Sequence, residues 1–308
     1  MYNYHDPVLL HPSVDALVTN PDGTYVDVTF GGGGHSRAIL NKLSPKGKLI
    51  AFDQDDDAKQ NLPDDDRLVF VNHNFCYIKE FLDYIKATPV DGVLADLGIS
   101  SHQIDVEGRG FAHRLNGPLD MRMSQSAATT AADILNNQNQ KQLTYIFQQY
   151  GEVPNTHKLV NQILQVRKTQ TFSTIELFKE QIKNCIPQAT QAKYLSQVFQ
   201  ALRIAVNKEM EVLETFLEAA ETIIKPEGKL VVIAYHSLED RMVKHLFQTG
   251  NLEGKRHTDL YGGISKPFDP QPNKAIIPTD EEISRNKRAR SAKMRIGIRN
   301  TWNRIQAI

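Results

Sequence analysis

Four short runs of β-branched and apolar residues in the first hundred positions constrain the fold of this chain most strongly. The runs span 24–29, 48–52, 68–72 and 90–95, and each ends at a loop that contains Gly, Asp or Asn. Continuous apolar runs are typical of parallel strands that are buried on both faces. The gaps between the runs are long enough for crossover helices. The pattern therefore predicts a doubly wound α/β sheet.

The pattern changes to helical spacing in the middle of the chain. Ile175, Phe178 and Ile182, for example, recur every three or four positions, as on the apolar face of a helix. We therefore expect a helical domain at 105–203, inserted into a cofactor-binding domain formed by 1–104 and 204–308.

The α/β pattern returns after the insertion. A helix is expected to end at the Lys-Pro-Glu-Gly sequence of 225–228, because Pro and Gly terminate helices for backbone reasons. Four further elements are predicted: a helix at 208–224, a strand at 229–235, a helix at 238–248 and a last strand at 289–299.

The loop after the first strand predicts the kind of cofactor. It reads Asp27-Val-Thr-Phe-Gly-Gly-Gly-Gly-His-Ser36. Glycines at this place let the backbone approach a ligand closely and open the next helix. A nicotinamide fingerprint would require glycine at position 36, where this chain has serine, so a dehydrogenase is disfavoured. An acid four positions before the first glycine is the methyltransferase form of the loop, which fits S-adenosylmethionine because that cofactor has an amino-acid end instead of a pyrophosphate.

Three further strand ends carry side chains suited to the same cofactor. Asp53 ends the second strand, where an acid can accept both ribose hydroxyls. Phe75 follows the third strand, where adenine contacts normally lie, and Asp96 ends the fourth. Because the carboxyl ends of parallel strands meet at one edge of a sheet, the four loops together predict an S-adenosylmethionine site. Each feature alone has a structural alternative, since an acid at a strand end is often a helix cap.

The charges are segregated along the chain, although 36 Lys+Arg and 36 Asp+Glu sum to zero. Residues 53–66 hold seven Asp and one Lys, whereas 285–308 hold eight Lys or Arg and no acid. Local fields decide which partner a surface attracts. The basic tail therefore predicts RNA contact through Arg288, Arg290 and Arg295, with an ordinary solvated surface as the alternative.

Several classes of protein are excluded by composition. No apolar run approaches the ~20 residues that span a bilayer, and the N-terminal sequence has no basic region followed by an apolar stretch. Cys76 and Cys185 are far apart, which is typical of a reducing cytosol and excludes a cysteine-built metal site. We expect a cytoplasmic protein with no membrane partner and no functional metal.

Seven longer motifs resemble a single family. They are Thr29–Ser36, Asp96–Gln103, Arg109–Phe111, Gly117–Met123, Phe199–Asn207, Tyr235–Arg241 and Arg288–Arg295. The strings Gly-Pro-Leu-Asp-Met-Arg-Met and His-Ser-Leu-Glu-Asp-Arg are too long to arise by chance. On these motifs the chain resembles the bacterial 16S ribosomal-RNA cytosine-N4 methyltransferases, the RsmH (MraW) family, from residue 8 to residue 299.

The resemblance implies a fold, a reaction and a partner. The fold is the Rossmann-like sheet of class I S-adenosylmethionine-dependent methyltransferases, here with an inserted helical domain that would recognise RNA. The reaction is methyl transfer to N4 of a cytidine in the P-site (decoding) region of 16S ribosomal RNA. The partner is that RNA or the small ribosomal subunit, and a homodimer is left open. The family's cofactor contacts correspond to Gly33, Gly34, His35, Asp53, Phe75, Asp96 and Gln103.

Asp96, Tyr235 and His236 are the predicted catalytic residues. Many amino-methyltransferases carry Asp/Asn-Pro-Pro-Tyr at the end of the fourth strand, whereas this chain has Asp96-Leu-Gly-Ile. Asp96 keeps the acceptor that localises the amine lone pair, so the stacking platform must come from elsewhere. We expect Tyr235 to stack on the base and His236 to order it or to accept its proton. A hydrogen-bonded structural histidine is the alternative for His236.

Four residues of the insertion and its junction are candidates for RNA contact. Arg109 and Arg122 can meet phosphate or pair with local acids, and the sequence favours neither. Arg203 and Asn207 lie one helical turn apart and are expected to face the same site.

Two other functions stay open on the sequence alone. An amino-methyltransferase of another RNA or of DNA would keep the same loops, although the missing Pro-Pro-Tyr argues against DNA. A non-catalytic ribosome-assembly factor could use the same scaffold to bind RNA, but the retained His35, Asp53 and Asp96 disfavour it.

Overall fold

The computed structural model describes residues 7–258 and 262–301. Contacts divide the chain into two compact units. We call residues 1–98 with 210–308 the sheet unit, and residues 99–209 the helical unit. Within the described ranges, every helix is too short or too polar to cross a membrane.

The strands and helices alternate in the sheet unit, whereas the helical unit contains helices alone among its named elements. The strands are β1 (Thr24–Asp27), β2 (Lys48–Phe52), β3 (Leu68–Val71), β4 (Val90–Asp96), β5 (Ile224–Ala234), β6 (Phe268–Pro270) and β7 (Lys293–Arg299). The α-helices are α1 (Leu10–Leu17), α2 (Gly34–Lys42), α3 (Ile78–Tyr84), α4 (Ser101–Asp105), α5 (Ala131–Asn137), α6 (Gln140–Tyr145), α7 (Thr156–Val166), α8 (Ile175–Ile182), α9 (Gln191–Asn207), α10 (Glu209–Ile223), α11 (Ser237–Thr249) and α12 (Asp280–Arg285).

The seven strands form one sheet in the order β3-β2-β1-β4-β5-β7-β6. Strands β1 to β5 are parallel, and β7 runs antiparallel to both β5 and β6. This is the Rossmann-like sheet of class I S-adenosylmethionine-dependent methyltransferases, so the predicted fold class is confirmed. The order reverses between β1 and β4, and open α/β sheets bind ligands at the carboxyl ends of the strands at such a switch point.

Both faces of the sheet are buried, which explains why the strands are almost continuously apolar. Successive residues of a strand point to opposite faces. Tyr25 and Val231 accordingly join the core on one face, under α1 and α2. Val26 and Val232 join the core on the other face, under α3, α10 and α11.

Two element boundaries differ from the sequence prediction. Strand β5 begins at Ile224, which pairs with Val90 before a register shift, and the predicted regular pairing starts only at Lys229. The tail strand begins at Lys293 and not at residue 289. Residues 287–291 form a 3₁₀ turn, because the side chain of Asn286 accepts the backbone N–H of Arg288 at 3.1 Å and caps that turn.

The helical unit has a separate apolar core. Phe172 and Phe178 are both fully buried there and meet edge to face, with ring centroids 5.5 Å apart. Capping boxes at Thr130 and Asn139 satisfy the first backbone N–H groups of α5 and α6. Packing on this core therefore accounts for the helical periodicity of the predicted insertion.

Replacement of Phe178 by Ala should destabilise the helical unit by about 3–5 kcal/mol, because it removes a fully buried aromatic ring and leaves a cavity. Urea denaturation of the full chain, followed by circular dichroism, measures the change. Tyr145→Ala is the control, since Tyr145 is 55% exposed and its loss should cost under about 1 kcal/mol. Equal losses for the two variants would contradict the assignment of this core.

Candidate functional site

Three aspartates stand at the carboxyl edge of the parallel strands. Asp27 ends β1, Asp96 ends β4, and Asp53 directly follows β2. Strands β1 and β4 are neighbours at the switch point, where Asp27 is paired in register with Leu94. The strand ends therefore converge on one place, as expected from the sequence.

Asp27 is fully buried and shapes the glycine loop. One carboxylate oxygen accepts the Ser36 hydroxyl at 2.7 Å, and the other accepts the backbone N–H of Thr29 at 3.1 Å. Burial raises the pKa of Asp27, and the hydrogen bonds and the nearby His35 oppose that rise. Asp27 consequently acts on the conformation of the loop from within the core.

Gly33 allows the glycine loop to turn into α2. Its φ of 74° lies in the left-handed region, and a Cβ there would come within 2.8 Å of the Phe30 ring. A side chain would therefore be both strained and obstructed at this position. Helix α2 then begins at Gly34, and its N-terminus presents backbone N–H groups that favour a negatively charged ligand group.

Asp53 connects the end of β2 to the glycine loop. Its carboxylate accepts the backbone N–H of Gly31 at 2.7 Å and that of Asp55 at 2.8 Å. Burial raises the pKa of Asp53 to about 6. A carboxylate has about four lone-pair positions, so two N–H donors leave acceptor capacity for ligand hydroxyls.

Phe75 stands at the end of the third strand, as predicted. Its half-buried ring meets Phe216 edge to face, with centroids 5.3 Å apart. Phe216 is fully buried in α10, so the ring of Phe75 is backed by the core of the sheet unit. An aromatic ring fixed in this way is suited to contact a flat apolar group such as a base.

Asp96 is held by groups from three directions. Its backbone N–H donates to Oγ1 of Thr29 at 2.7 Å, and its Oδ1 accepts the Tyr235 hydroxyl at 2.7 Å. Its Oδ2 lies 3.7 Å from Nδ1 of His35, and the side chain is 22% exposed. Burial raises the pKa of Asp96 to about 6, against the opposing effects of His35 and of the Tyr235 hydrogen bond.

His35 is buried behind the glycine loop, with its ring oriented by the chain before α1. Its Nε2 lies 3.2 Å from the carbonyl oxygen of Val8. Because a carbonyl only accepts, Nε2 carries a proton in this contact. This contact leaves Nδ1 facing Asp96.

His236 follows β5, as predicted, and lies at the start of α11. Its side chain is only 7% exposed, and Nε2 is 3.1 Å from Oε1 of Glu239. Oε2 of Glu239 accepts the backbone N–H of Tyr235 at 2.8 Å and that of His236 at 3.3 Å. Despite this proximity, both ring nitrogens of His236 are buried without a hydrogen-bond partner among the described residues, and its catalytic and structural roles both stay predictions.

Arg109 and Arg122 are engaged inside the helical unit. Arg109 is 7% exposed and donates to the backbone carbonyls of Arg122 and Met123, at 3.1 and 2.8 Å. Arg122 makes a bidentate pair with Asp120, at 2.8 and 2.7 Å. Arg122 thus pairs with a local acid and Arg109 binds backbone carbonyls, and the contact of either residue with RNA stays a prediction.

Arg203 and Asn207 are also engaged within the same unit. Arg203 makes a bidentate pair with Glu209, at 2.8 and 2.9 Å. Asn207 donates to the carbonyl of Met121 and accepts the N–H of Met123, at 2.8 and 2.7 Å. Asn207 thus fixes the loop around Met121, and the predicted contact of both residues with RNA is untested.

Gln103 has a local role in α4. Its backbone N–H and its side-chain Oε1 exchange hydrogen bonds with Ser100, at 3.2 and 3.1 Å, in a capping box. The side chain is buried. Its assignment as a cofactor contact stays a prediction.

The start of β7 lies at the same edge of the sheet as the aspartates, because Lys293 of this antiparallel strand pairs with Ala234 at the carboxyl end of β5. Arg295 pairs with Asp240 at 2.7 Å, so this predicted RNA contact is occupied by an acid. Arg288 is half-buried and Arg290 is exposed in the 3₁₀ turn before β7. Arg304 of the predicted tail lies outside the described residues.

Two contributors to the site were missed at the level of sequence. Thr29 fixes the backbone at Asp96, and its place at the head of the glycine motif could have indicated it. Val8 acts through its backbone carbonyl, so its side-chain identity carries no signal for that role.

Comparison with known proteins identifies the family of this chain. The model of the MraW methylase family matches residues 2–300. A protein of Bacteroides thetaiotaomicron named ribosomal RNA small subunit methyltransferase H is 52% identical over 95% of this chain and 96% of its own length. A protein of Flavobacterium johnsoniae with the same name is 50% identical over 95% of this chain and 97% of its own length. The family match and these identities cover nearly the whole chain, and the chain therefore belongs to the MraW methylase family.

Proposed function

We propose that this protein transfers a methyl group from S-adenosyl-L-methionine to the N4 amine of a cytidine in the P-site region of 16S ribosomal RNA. The observation that carries the proposal is Asp96, a carboxylate that Tyr235 and Thr29 hold at the switch point, beside the glycine loop. The relatives named ribosomal RNA small subunit methyltransferase H support ribosomal RNA as the substrate class. The reaction would take place in the cytoplasm, on the RNA or the small subunit.

S-adenosyl-L-methionine is the cofactor of this family and fold, and the residues present fit it. Asp53 would accept the ribose hydroxyls, and Phe75 would contact adenine. Gly33, Gly34 and the N-terminus of α2 would receive the amino-acid end, whose carboxylate suits a helix N-terminus. The two half-buried acids Asp53 and Asp96 also suit a cofactor that carries positive charge.

The chemistry requires orientation and a proton acceptor more than a strong base. The cofactor supplies an electrophilic methyl group with a neutral leaving group. The lone pair of a cytosine amine is delocalised into the ring, so an acceptor for its N–H groups makes that lone pair more available. Asp96 is the acceptor at the strand end, and it can take the proton after the nitrogen becomes cationic.

RNA would be held by basic groups around this edge and by the helical unit. Arg290 is exposed beside Lys287 in the turn before β7, at the same edge as Asp96. Arg109, Arg122, Arg203 and Asn207 would act chiefly by shaping the helical unit, since each is engaged internally. Exposed cations of this kind bind phosphate without reading sequence.

Loss of the gene for this protein should remove an N4-methylated cytidine from 16S RNA. Mass spectrometry of nucleosides from RNA fragments of the P-site region measures it, with and without the protein. Complementation by the Asp96→Ala variant should not restore the modification, whereas Asp56→Ala should, because Asp56 is 61% exposed and pairs with Lys59 on the surface. Retention of the modified nucleoside in the deleted strain would reject the proposed reaction.

Asp53→Ala should weaken S-adenosylmethionine binding about 10–100-fold, since it removes charge-assisted hydrogen bonds of about 1.5–3 kcal/mol. Isothermal titration calorimetry with the purified protein measures the affinity. Asp56→Ala is again the matched control from the same acidic run and should bind normally. Equal affinity of the Asp53 variant and the control would remove Asp53 from the cofactor site.

Replacing both Arg290 and Lys287 by Gln should weaken RNA binding and reduce its dependence on salt. The double variant loses two phosphate contacts, so fewer counterions are released when the RNA binds. Filter binding of a 16S RNA fragment at several salt concentrations gives the slope. Lys48→Gln with Lys46→Gln is the control, since both lysines are exposed at the amino end of β2. A slope that falls equally in both double variants would refute a specific role for this turn.

A further inference from the structure

The two carboxylate oxygens of Asp96 have different surroundings. Oδ1 accepts the hydroxyl of Tyr235 at 2.7 Å. Oδ2 faces Nδ1 of His35 across 3.7 Å, beyond hydrogen-bond distance. The backbone N–H of Asp96 donates to Thr29 at 2.7 Å, so the main chain of Asp96 is fixed as well as one of its carboxylate oxygens. The arrangement leaves Oδ2 as the oxygen with acceptor capacity for a ligand.

Tyr235 is brought to Asp96 by the pairing of β4 with β5, in which Asp96 lies opposite Ile233. Gly98, with a φ of 102°, leaves room beside the tyrosine ring, since a Cβ there would lie at ordinary contact distances of 3.4 to 4.0 Å from three of its atoms. Burial raises the pKa of Tyr235 well above its ordinary value, so its hydroxyl is protonated and can donate near neutral pH.

The ring of His35 is also fixed by a hydrogen bond and by burial. Its Nε2–H donates to the carbonyl of Val8 at 3.2 Å, and the side chain is 6% exposed. Val8 is in turn followed by Leu9, whose backbone N–H donates to Glu282 at 2.6 Å. The second ring nitrogen is thereby directed to Asp96.

We propose that Tyr235 and His35 are positioning residues that keep Asp96 ionised and present Oδ2 to the substrate amine. The inference rests on the proposed methyl transfer and assigns Tyr235 a role other than the stacking expected from the sequence. In the reaction, the nitrogen lone pair forms the new N–C bond, and the electrons of the broken C–S bond leave with sulfur. One N–H proton then passes to Oδ2, and its bonding electrons return to nitrogen.

The groups around Asp96 shift the pKa of its carboxyl in opposite directions. Burial is the largest influence and disfavours the ionised carboxylate, and Asp27 and Glu239 add to it. His35 and the Tyr235 hydrogen bond favour the ionised form, and with all of them present the pKa of Asp96 is about 6. Glu282 acts on Tyr235 and raises the pKa of its hydroxyl further.

Loss of the Tyr235 hydroxyl should raise the pKa of Asp96. Tyr235→Phe removes a donor to the ionised carboxylate, so the pKa of Asp96 rises above about 6. Since the ionised form is the active one, the acidic limb of the rate profile moves to higher pH. We expect a shift of about one pH unit, with a roughly fivefold loss of rate near pH 6, a loss of about twofold near pH 7 and recovery near pH 9. A role in packing alone would lower the rate at every pH alike.

Two measurements on the full chain test the inference. The first is the titration of the Asp96 carboxyl by ¹³C NMR in the cofactor-free protein, with the signal assigned by its absence in Asp96→Asn. The second is the single-turnover rate of methyl transfer to a 16S RNA fragment between pH 5.5 and 9. Tyr25→Phe is the matched control, because its buried hydroxyl bonds only to the chain around Asn20 among the described residues.

His35→Gln provides a second variant with the same expected direction. The glutamine amide can keep the donation to Val8, but it lacks the charge that lowers the pKa of Asp96. Upward shifts in both variants and none in Tyr25→Phe support the inference. An unmoved carboxyl titration in both variants overturns it, and so does a pH-independent loss of rate. The two proposals can fail separately. If the variants shift the Asp96 titration but the wild-type protein methylates no RNA, the proposed reaction and the role of Asp96 as acceptor are rejected, whereas the effect of Tyr235 and His35 on the carboxylate stands.

Discussion

A buried carboxylate organises the whole carboxyl edge of the sheet. Asp27 has no solvent exposure, and a charge in that position is costly unless donors surround it. Its donors are Ser36 and the backbone of Thr29, which belong to the glycine loop, so the loop must fold around the aspartate. Thr29 then accepts the backbone N–H of Asp96 and ties the end of β1 to the end of β4. The geometry of the candidate site thus depends on one acid that is itself completely buried.

This organisation has a cost in the stability of the cofactor-free protein. Burial raises the pKa of both Asp53 and Asp96 to about 6. For an acid whose pKa is raised on folding, the stabilising contribution is complete below the unfolded pKa of about 4 and is lost as pH rises through about 6. Near neutral pH the free protein therefore holds two unfavourable charges, and a positively charged cofactor would offset them. Such a conflict between stability and function is common at active sites.

The strands were predictable because burial on both faces imposes continuous apolar runs, and the ends of β1 to β4 lie within two residues of their predicted positions. The residue types at those ends indicated the cofactor for the same reason, since strand ends converge. The partner of each side chain was not predictable. The hydroxyl of Tyr235 bonds Asp96, a contact set by the pairing of β4 with β5, two strands that are distant in sequence. The expected stacking of Tyr235 on the base stays a prediction. Residues 289–291 were predicted to be in the last strand but belong to a 3₁₀ turn, since an Asn cap competes with alternation that is only weak there.

The arginines show why a residue type alone is a weak guide to RNA contact. Guanidinium groups bind carboxylates and phosphates with the same fork of donors, so a sequence cannot distinguish an internal pair from a substrate contact. Arg122, Arg203 and Arg295 each pair with an acid of their own unit, whereas Arg290 is exposed at the carboxyl edge. Each of these internal ion pairs adds one positive and one negative charge, so it enters the net charge of the chain without changing the charge of the exposed groups at that edge. A charge census of the exposed groups near Asp96 is therefore a better guide to RNA binding than the net charge of the chain.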